Sequence, residues 1–208
     1  MNELLQAGTA IKKIYAVEAW VQQCNNFNNL SIITAGELAK ISNLQTPNQV
    51  LAIAGQPLLP RETGLKNNLT LVLDGIQDPG NLGTIIRIAD WFGIYQVIAS
   101  EDSADKYNPK VVQASMGSLL RVNVWYKNLG KWLAGCPVKV FGALLNGDNV
   151  FTTTKIKEGV LVIGNESKGI RPEVLPFVQQ ALTIPGKGSA ESLNAAVATG
   201  IILSHVAP

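Results

Sequence analysis

The sequence predicts an α/β protein with a mostly parallel sheet, preceded by a smaller α/β unit. Three observations predict it. From residue 69 onward, short runs of Ile, Leu and Val alternate with helical patterns, the signature of successive βα units. Hydrophobic residues make up 47% of the 208 and charged residues 15%, so the chain is able to bury a full core. Aromatics are only 6%, which leaves that core to aliphatic side chains, as in a sheet covered on both faces.

Taken in order, residues 11–17, 31–34 and 49–54 read as strands, with helices over 18–24 and 37–41 and an Asn-rich break at 25–29. These form the small unit, residues 1–55. Residues 56–66 contain two prolines and sit beside flanking glycines, which marks a linker. The larger domain, 67–208, begins with a strand at 69–73. A helix over 81–92 follows a Pro-Gly turn, and 96–99 is a strand. Residues 109–119 read as a helix with Asn108 at the N-cap and Pro109 at the first helical position. Strands follow at 121–125, 138–145 and 160–163. Pro172 is placed to start a further helix, and 181–184 and 192–206 read as the last strand and helix.

Bulk properties exclude several classes. A net charge of +2 and a pI near 8.5 fall short of a dedicated DNA binder. Two distant cysteines, Cys24 and Cys136, and one histidine, His205, give no zinc spacing, so no metal is expected. Free thiols, no secretory signal and no bilayer-length apolar run suggest a cytoplasmic protein without a membrane segment. No G-x-x-x-x-G-K-[ST] loop or G-x-S-x-G elbow occurs, and Gly186-Lys-Gly-Ser-Ala-Glu lacks the third glycine of a dinucleotide fingerprint.

Three segments stand where apolar runs give way to small and polar residues: Asn81-Leu-Gly-Thr-Ile-Ile-Arg87, Ile163-Gly-Asn-Glu-Ser-Lys-Gly169 and Ile184-Pro-Gly-Lys-Gly-Ser-Ala-Glu-Ser-Leu-Asn194. Such points are carboxyl edges of a sheet, where α/β proteins bind ligands. The loop before Asn81 is also able to offer backbone N–H groups to an anion at a helix start. By periodicity alone Arg87 lies nearly opposite the apolar face of Leu82, Ile85, Ile86 and Ala89, as a solvated arginine would.

Together, in this order, the three segments resemble the signature motifs of the SpoU (TrmH-like) branch of the SPOUT class of RNA methyltransferases. The resemblance covers roughly two-thirds of the chain, from Leu69 to the C-terminus. It implies transfer of a methyl group from S-adenosylmethionine to a ribose 2′-hydroxyl of tRNA or rRNA, a C-terminal trefoil knot and a homodimer. It also implies Arg87, Asn81, Glu166, Ser192 and Asn194 as catalytic residues. Leu144, Gly164, Asn165, Gly169, Ile184, Pro185, Ser189 and Leu193 would form the cofactor pocket. Residues 1–55 are similar to the small RNA-binding domain that precedes this catalytic domain in many members. Since Met1-Asn-Glu-Leu-Leu lies almost at the start, that domain is expected to lack its first strand and leave an edge unpaired. Two positions depart from the pattern. Gly186 stands where methionine is frequent, and Ala195-Ala196 where Val-Ser is common. Both bear on the tightness of cofactor packing. A non-catalytic RNA-binding protein on the same scaffold is the alternative reading.

Overall fold

The computed structural model describes residues 1–23 and 27–208. The chain divides into two units, Met1–Leu59 and Pro60–Pro208. The end of the helix expected over 18–24, and the Asn25-Asn26 part of the break after it, lie outside the described residues.

The small unit opens with a short helix α1 (Asn2–Gln6). A three-stranded sheet follows, built from β1 (Ile11–Ala16), β2 (Leu30–Ile32) and β3 (Val50–Ala54) in the order β2-β1-β3. β1 runs parallel to β2 and antiparallel to β3. Helices α2 (Glu18–Val21) and α3 (Ala35–Ile41) connect the strands. The start of α3 is fixed by a reciprocal capping box between Thr34 and Glu37. Among the described residues of this unit, Ile14, Ala16 and Leu38 are the buried apolar side chains.

The large unit is a six-stranded sheet in which every adjacent pair is parallel. Its strands are β4 (Leu69–Asp74), β5 (Gln96–Ser100), β6 (Asn123–Lys127), β7 (Val140–Asn149), β8 (Gly159–Gly164) and β9 (Gln180–Thr183), in the order β6-β5-β4-β8-β7-β9. Side chains alternate across the sheet with period two. Leu69, Leu71, Leu73, Leu161 and Ile163 pack on one face with α4 (Pro79–Trp91), α5 (Pro109–Ser115) and α7 (Ala195–Val206). Val72, Ile98, Val160 and Val162 pack on the other with α6 (Leu129–Ala134) and the 170–178 segment. Coverage of both faces explains why β4 and β5 are buried along their whole length.

Glu62 and Thr63, within the expected linker, belong to this unit. The Trp132 indole N–H donates to Glu62 at 3.0 Å, and Thr63 donates its amide and hydroxyl to Gln96 Oε1 at 2.8 and 2.7 Å.

Three sequence expectations are corrected. The helix over 109–119 stops at Ser115, because Met116 and Gly117 both adopt positive φ and a 3₁₀ turn over Ser118–Leu120 takes over. Pro172 starts no α-helix; its segment forms turns and a 3₁₀ turn at Leu175–Phe177. The last helix begins at Ala195, because the Asn194 side chain caps it, accepting from Ala196 and Val197 N–H at 3.0 and 3.2 Å. The short helix α6 has no counterpart in the sequence reading.

Helix α4 crosses α5 closely at Gly83, where an added Cβ would lie 2.7 Å from both the Ala114 Cβ and the Val111 carbonyl oxygen. Gly83→Ala is therefore expected to cost about 1–3 kcal/mol by overpacking. That would lower the melting midpoint by roughly 2–10 °C in a thermal unfolding scan. An unchanged midpoint would show that the two helices separate freely.

Candidate functional site

The order in which strands are added to the sheet reverses between β4 and β8. The chain proceeds from β4 outward to β5 and β6, then returns to place β8 on the other side of β4. A crevice at the carboxyl edge is the expected consequence. Asp74 and Gly164 are register partners at the ends of these two strands, so the first and second motifs leave the sheet side by side.

The second motif folds into a tight turn. Asn165 and Gly169 exchange backbone hydrogen bonds of 3.0 and 2.8 Å, while Asn165 Oδ1 accepts from the amides of Ser167 and Lys168 at 3.0 and 3.1 Å. Gly169 adopts a φ of +68°, which favours glycine. A Cβ on Gly164 would overlap the backbone of Gly169 and Ile170. Asn165 Nδ2 donates to the Gly75 carbonyl at 2.8 Å, tying this turn to the loop of the first motif. The turn holds Glu166 toward α4, and there Asn81 Nδ2 donates to Glu166 Oε1.

The third motif joins the same cluster. Asn194 Nδ2 donates to Asn81 Oδ1 at 2.8 Å while Asn194 Oδ1 caps α7. Asn81 is thus a hub. Its amide donates to Glu166 and its carbonyl accepts from Asn194, so one side chain links all three segments. Asp78 supports it from below as N-cap of α4, accepting from the Asn81 N–H at 2.8 Å. This carboxylate already occupies the helix N-terminus, so the loop does not present that end as an open anion cradle.

Arg87 stands apart. It is exposed on α4, opposite the buried Leu82, Ile85, Ile86 and Ala89, and its side chain makes no hydrogen bond to the Asn81 cluster among the described residues. Ser192 and Leu193 are exposed beside Asn194, and Pro185 and Ser189 are exposed in the same loop, which precedes α7. Ile184, just past the end of β9, and Leu144, midway along the neighbouring β7, are half-buried. At Leu144 the β7–β9 ladder is interrupted: Ala143 and Asp148 both pair with Leu182, and the residues between loop out. Within that loop Gly147 approaches Ala181 so closely that a Cβ would lie 2.6 Å from its carbonyl carbon. The Thr183 hydroxyl braces the loop by donating to the Leu145 carbonyl at 2.8 Å.

One contact beside the site was missed in the sequence. Asp74, fully buried at the end of β4, accepts the Arg171 backbone N–H at 2.8 Å and pairs with its guanidinium. Burial works against the Arg171 charge, but Asp74, with help from Asp102 and Glu173, holds its pKa above the usual value. The signal was a lone acid ending an apolar strand, and its partner lies 97 residues away.

The SpoU rRNA Methylase family model matches residues 68–204. The chain is 34% identical over 179 residues to the 23S rRNA (guanosine(2553)-2′-O)-methyltransferase RlmP of Bacillus subtilis, covering 84% of this chain and 71% of that protein. It is 38% identical over 146 residues to the 23S rRNA (guanosine-2′-O-)-methyltransferase RlmB of Blochmanniella floridana, covering 66% of this chain and 58% of that one. Among solved structures, a putative RNA methyltransferase of the TrmH family from Porphyromonas gingivalis superposes with a TM-score of 0.84 at 38% identity, covering 98% of this chain and 84% of that chain. The SpoU methyltransferase AviRb from Streptomyces viridochromogenes, in complex with AdoMet, gives 0.83 at 27% identity, with the same coverage.

Proposed function

The chain belongs to the SpoU rRNA methylase family, and from that membership we propose that it methylates a ribose 2′-hydroxyl in ribosomal RNA, using S-adenosylmethionine. The observation that carries this is the Glu166–Asn81–Asn194 chain of hydrogen bonds, which assembles residues from three motifs at one sheet edge. Preference for ribosomal RNA is supported by the substrates named for the RlmP and RlmB relatives.

The carboxyl edge fits the cofactor. Gly164 ends β8, Ile184 directly follows β9, and Leu144 lies on β7 between them where its ladder with β9 is interrupted. They offer apolar surface and backbone groups without a phosphate-binding glycine loop, which suits an adenosine cofactor that carries no phosphate. Leu144, Gly164, Asn165, Gly169, Ile184, Pro185, Ser189 and Leu193 would hold it. When bound, it supplies a methyl group on a sulfonium, which leaves without protonation.

The protein's own task is to orient the ribose and accommodate the departing hydroxyl proton. Arg87 is a poor base, because a guanidinium does not give up its proton near neutral pH and so has no lone pair to offer. It acts instead by donating to the developing alkoxide, with an RNA phosphate taking the proton. Asn81, fixed by Glu166 and Asn194, holds the entrance beside α4 in one geometry. Ser192 orders the loop that precedes α7.

Three further features belong to this reading. A trefoil knot at the C-terminal end is supported by the position of β7 between β8 and β9 and by the packing of α7 on α4. A homodimer is supported by exposed Phe151, Leu193 and Val197 around α7. An RNA-binding role for the small unit is supported by Lys12 and Lys13 on β1, the latter 5.8 Å over the Tyr15 ring. Among the described residues, no helix is long and apolar enough to cross a membrane.

The test combines calorimetry with S-adenosylmethionine and methyl transfer to ribosomal RNA from a strain lacking the gene. Binding heat, and one newly protected ribose on mapping 2′-O-methyl positions, are expected. RNA binding without cofactor heat or transfer would establish the non-catalytic alternative.

A further inference from the structure

Trp91 is the last residue of α4 and is 83% exposed. The burial pattern of the helix explains why. Leu82, Ile85, Ile86 and Ala89 define its inner face, and at 100° per residue Trp91 points directly away from their mean direction. Water-facing placement of so large an apolar side chain gives folding almost none of the stabilisation that its burial would. Its neighbours sharpen the point. Tyr95, just beyond the Gly93 turn, is 60% exposed. Asp90, beside Trp91, is already engaged, bonded to Arg121 at 2.8 Å.

Arg87 lies four residues before Trp91, on the same side of the helix, and is also exposed. That separation is one turn, about 6 Å along the axis. Gly80 and Thr84 precede Arg87 on the same stripe and are small, and the Thr84 hydroxyl is turned back onto the Gly80 carbonyl at 2.8 Å. The outer side of α4 is therefore a low track leading from the Asn81 cluster to a guanidinium and then to an open indole face.

We infer that Trp91 is a stacking platform for a nucleobase of the RNA substrate, next to the nucleotide whose ribose faces Arg87. The inference rests on the proposed methyl transfer. A ribose 2′-hydroxyl inside a stacked helix is poorly placed for in-line attack, and RNA sites are usually recognised where bases are splayed out onto aromatic side chains. A cation for the phosphate and an aromatic face for the base, one helical turn apart, match the repeat of a single-stranded backbone. Stacking accepts any base, so Trp91 would contribute affinity and positioning rather than base identity.

The test uses the full chain and an unmodified ribosomal RNA transcript. Trp91→Ala is expected to raise KM for the RNA about 5- to 100-fold. The affinity for S-adenosylmethionine and the sedimentation coefficient should stay unchanged. Trp91→Phe should recover most of the loss, because a ring face remains. Titration with a short oligoadenylate should quench the tryptophan fluorescence of the wild type more than that of Trp91→Phe. This arm needs no turnover, so it reads the platform even if methyl transfer itself fails. A wild-type KM in Trp91→Ala, or equal quenching in both proteins, would overturn the inference. So would dissociation of Trp91→Ala into a smaller species, which would assign the indole to a contact between copies.

Discussion

Arg87→Ala is expected to lower kcat for RNA methylation by about 10³-fold, the range observed when a donor to a developing oxyanion or a proton-transfer group is removed. Two features of the structure make the effect specific to chemistry. The side chain is exposed and bonds to none of the described residues, so its loss should change stability by no more than about 0.5 kcal/mol. The proposed cofactor residues lie on β7, at the end of β8 and in the turn after it, and in the loop between β9 and α7, not on α4, so calorimetric affinity for S-adenosylmethionine should stay within about twofold. Arg87→Lys should recover only part of the loss, since an ammonium keeps the charge but not the planar fork that spans ribose and phosphate. Turnover by the alanine variant comparable with wild type would remove Arg87 from the mechanism.

The contrast between Arg87 and Asn81 shows what could be read in the sequence. Helical periodicity placed Arg87 on the outer face of α4, and it is there. Periodicity could not distinguish a solvated arginine from a functional one, because both occupy the same face. Only the resemblance of the three motifs together proposes the functional one. The strand runs were legible because a sheet covered on both faces needs unbroken aliphatic stretches, and Val160-Leu-Val-Ile163 is one. The end of α5 was not, since it depends on a left-handed Met116, a conformation that methionine composition does not announce. Nor was the interruption of β7 at Leu144–Gly147, which depends on a close approach to Ala181 from a distant strand. The same holds for the Asn81 hub. Each of Asn81, Glu166 and Asn194 was visible as a candidate, but their partnership spans 85 and 113 residues and exists only once β8 has returned beside β4.

That partnership gives the second large effect. Asn81 presents a donor to Glu166 and an acceptor to Asn194, from two separate atoms of one uncharged amide. Asn81→Ala should lower kcat by about 10²-fold through a loosened entrance. Its folding penalty should be modest, because Glu166 is half-buried and Asn194 is exposed, and both can turn to water. Asn81→Asp is the sharper probe. It keeps the acceptor that Asn194 needs but sets a second carboxylate against Glu166 where a donor stood, so at neutral pH the two repel and activity should fall below that of the alanine variant. Like charges at this separation raise the pKa of the pair, so one proton enters as pH falls. The shared proton restores a donor between positions 81 and 166. The ratio of variant to wild-type kcat should therefore rise as pH is lowered from about 8 toward about 5.5, while the ratio for Asn81→Ala stays flat. A flat ratio for Asn81→Asp, or near-wild-type turnover at pH 8, would show that the Glu166–Asn81 bond does not position the reacting groups. Glu166→Gln in the Asn81→Asp background provides the independent check. It removes the repulsion without acid, so the double variant should turn over faster than Asn81→Asp at pH 8 and lose the pH dependence.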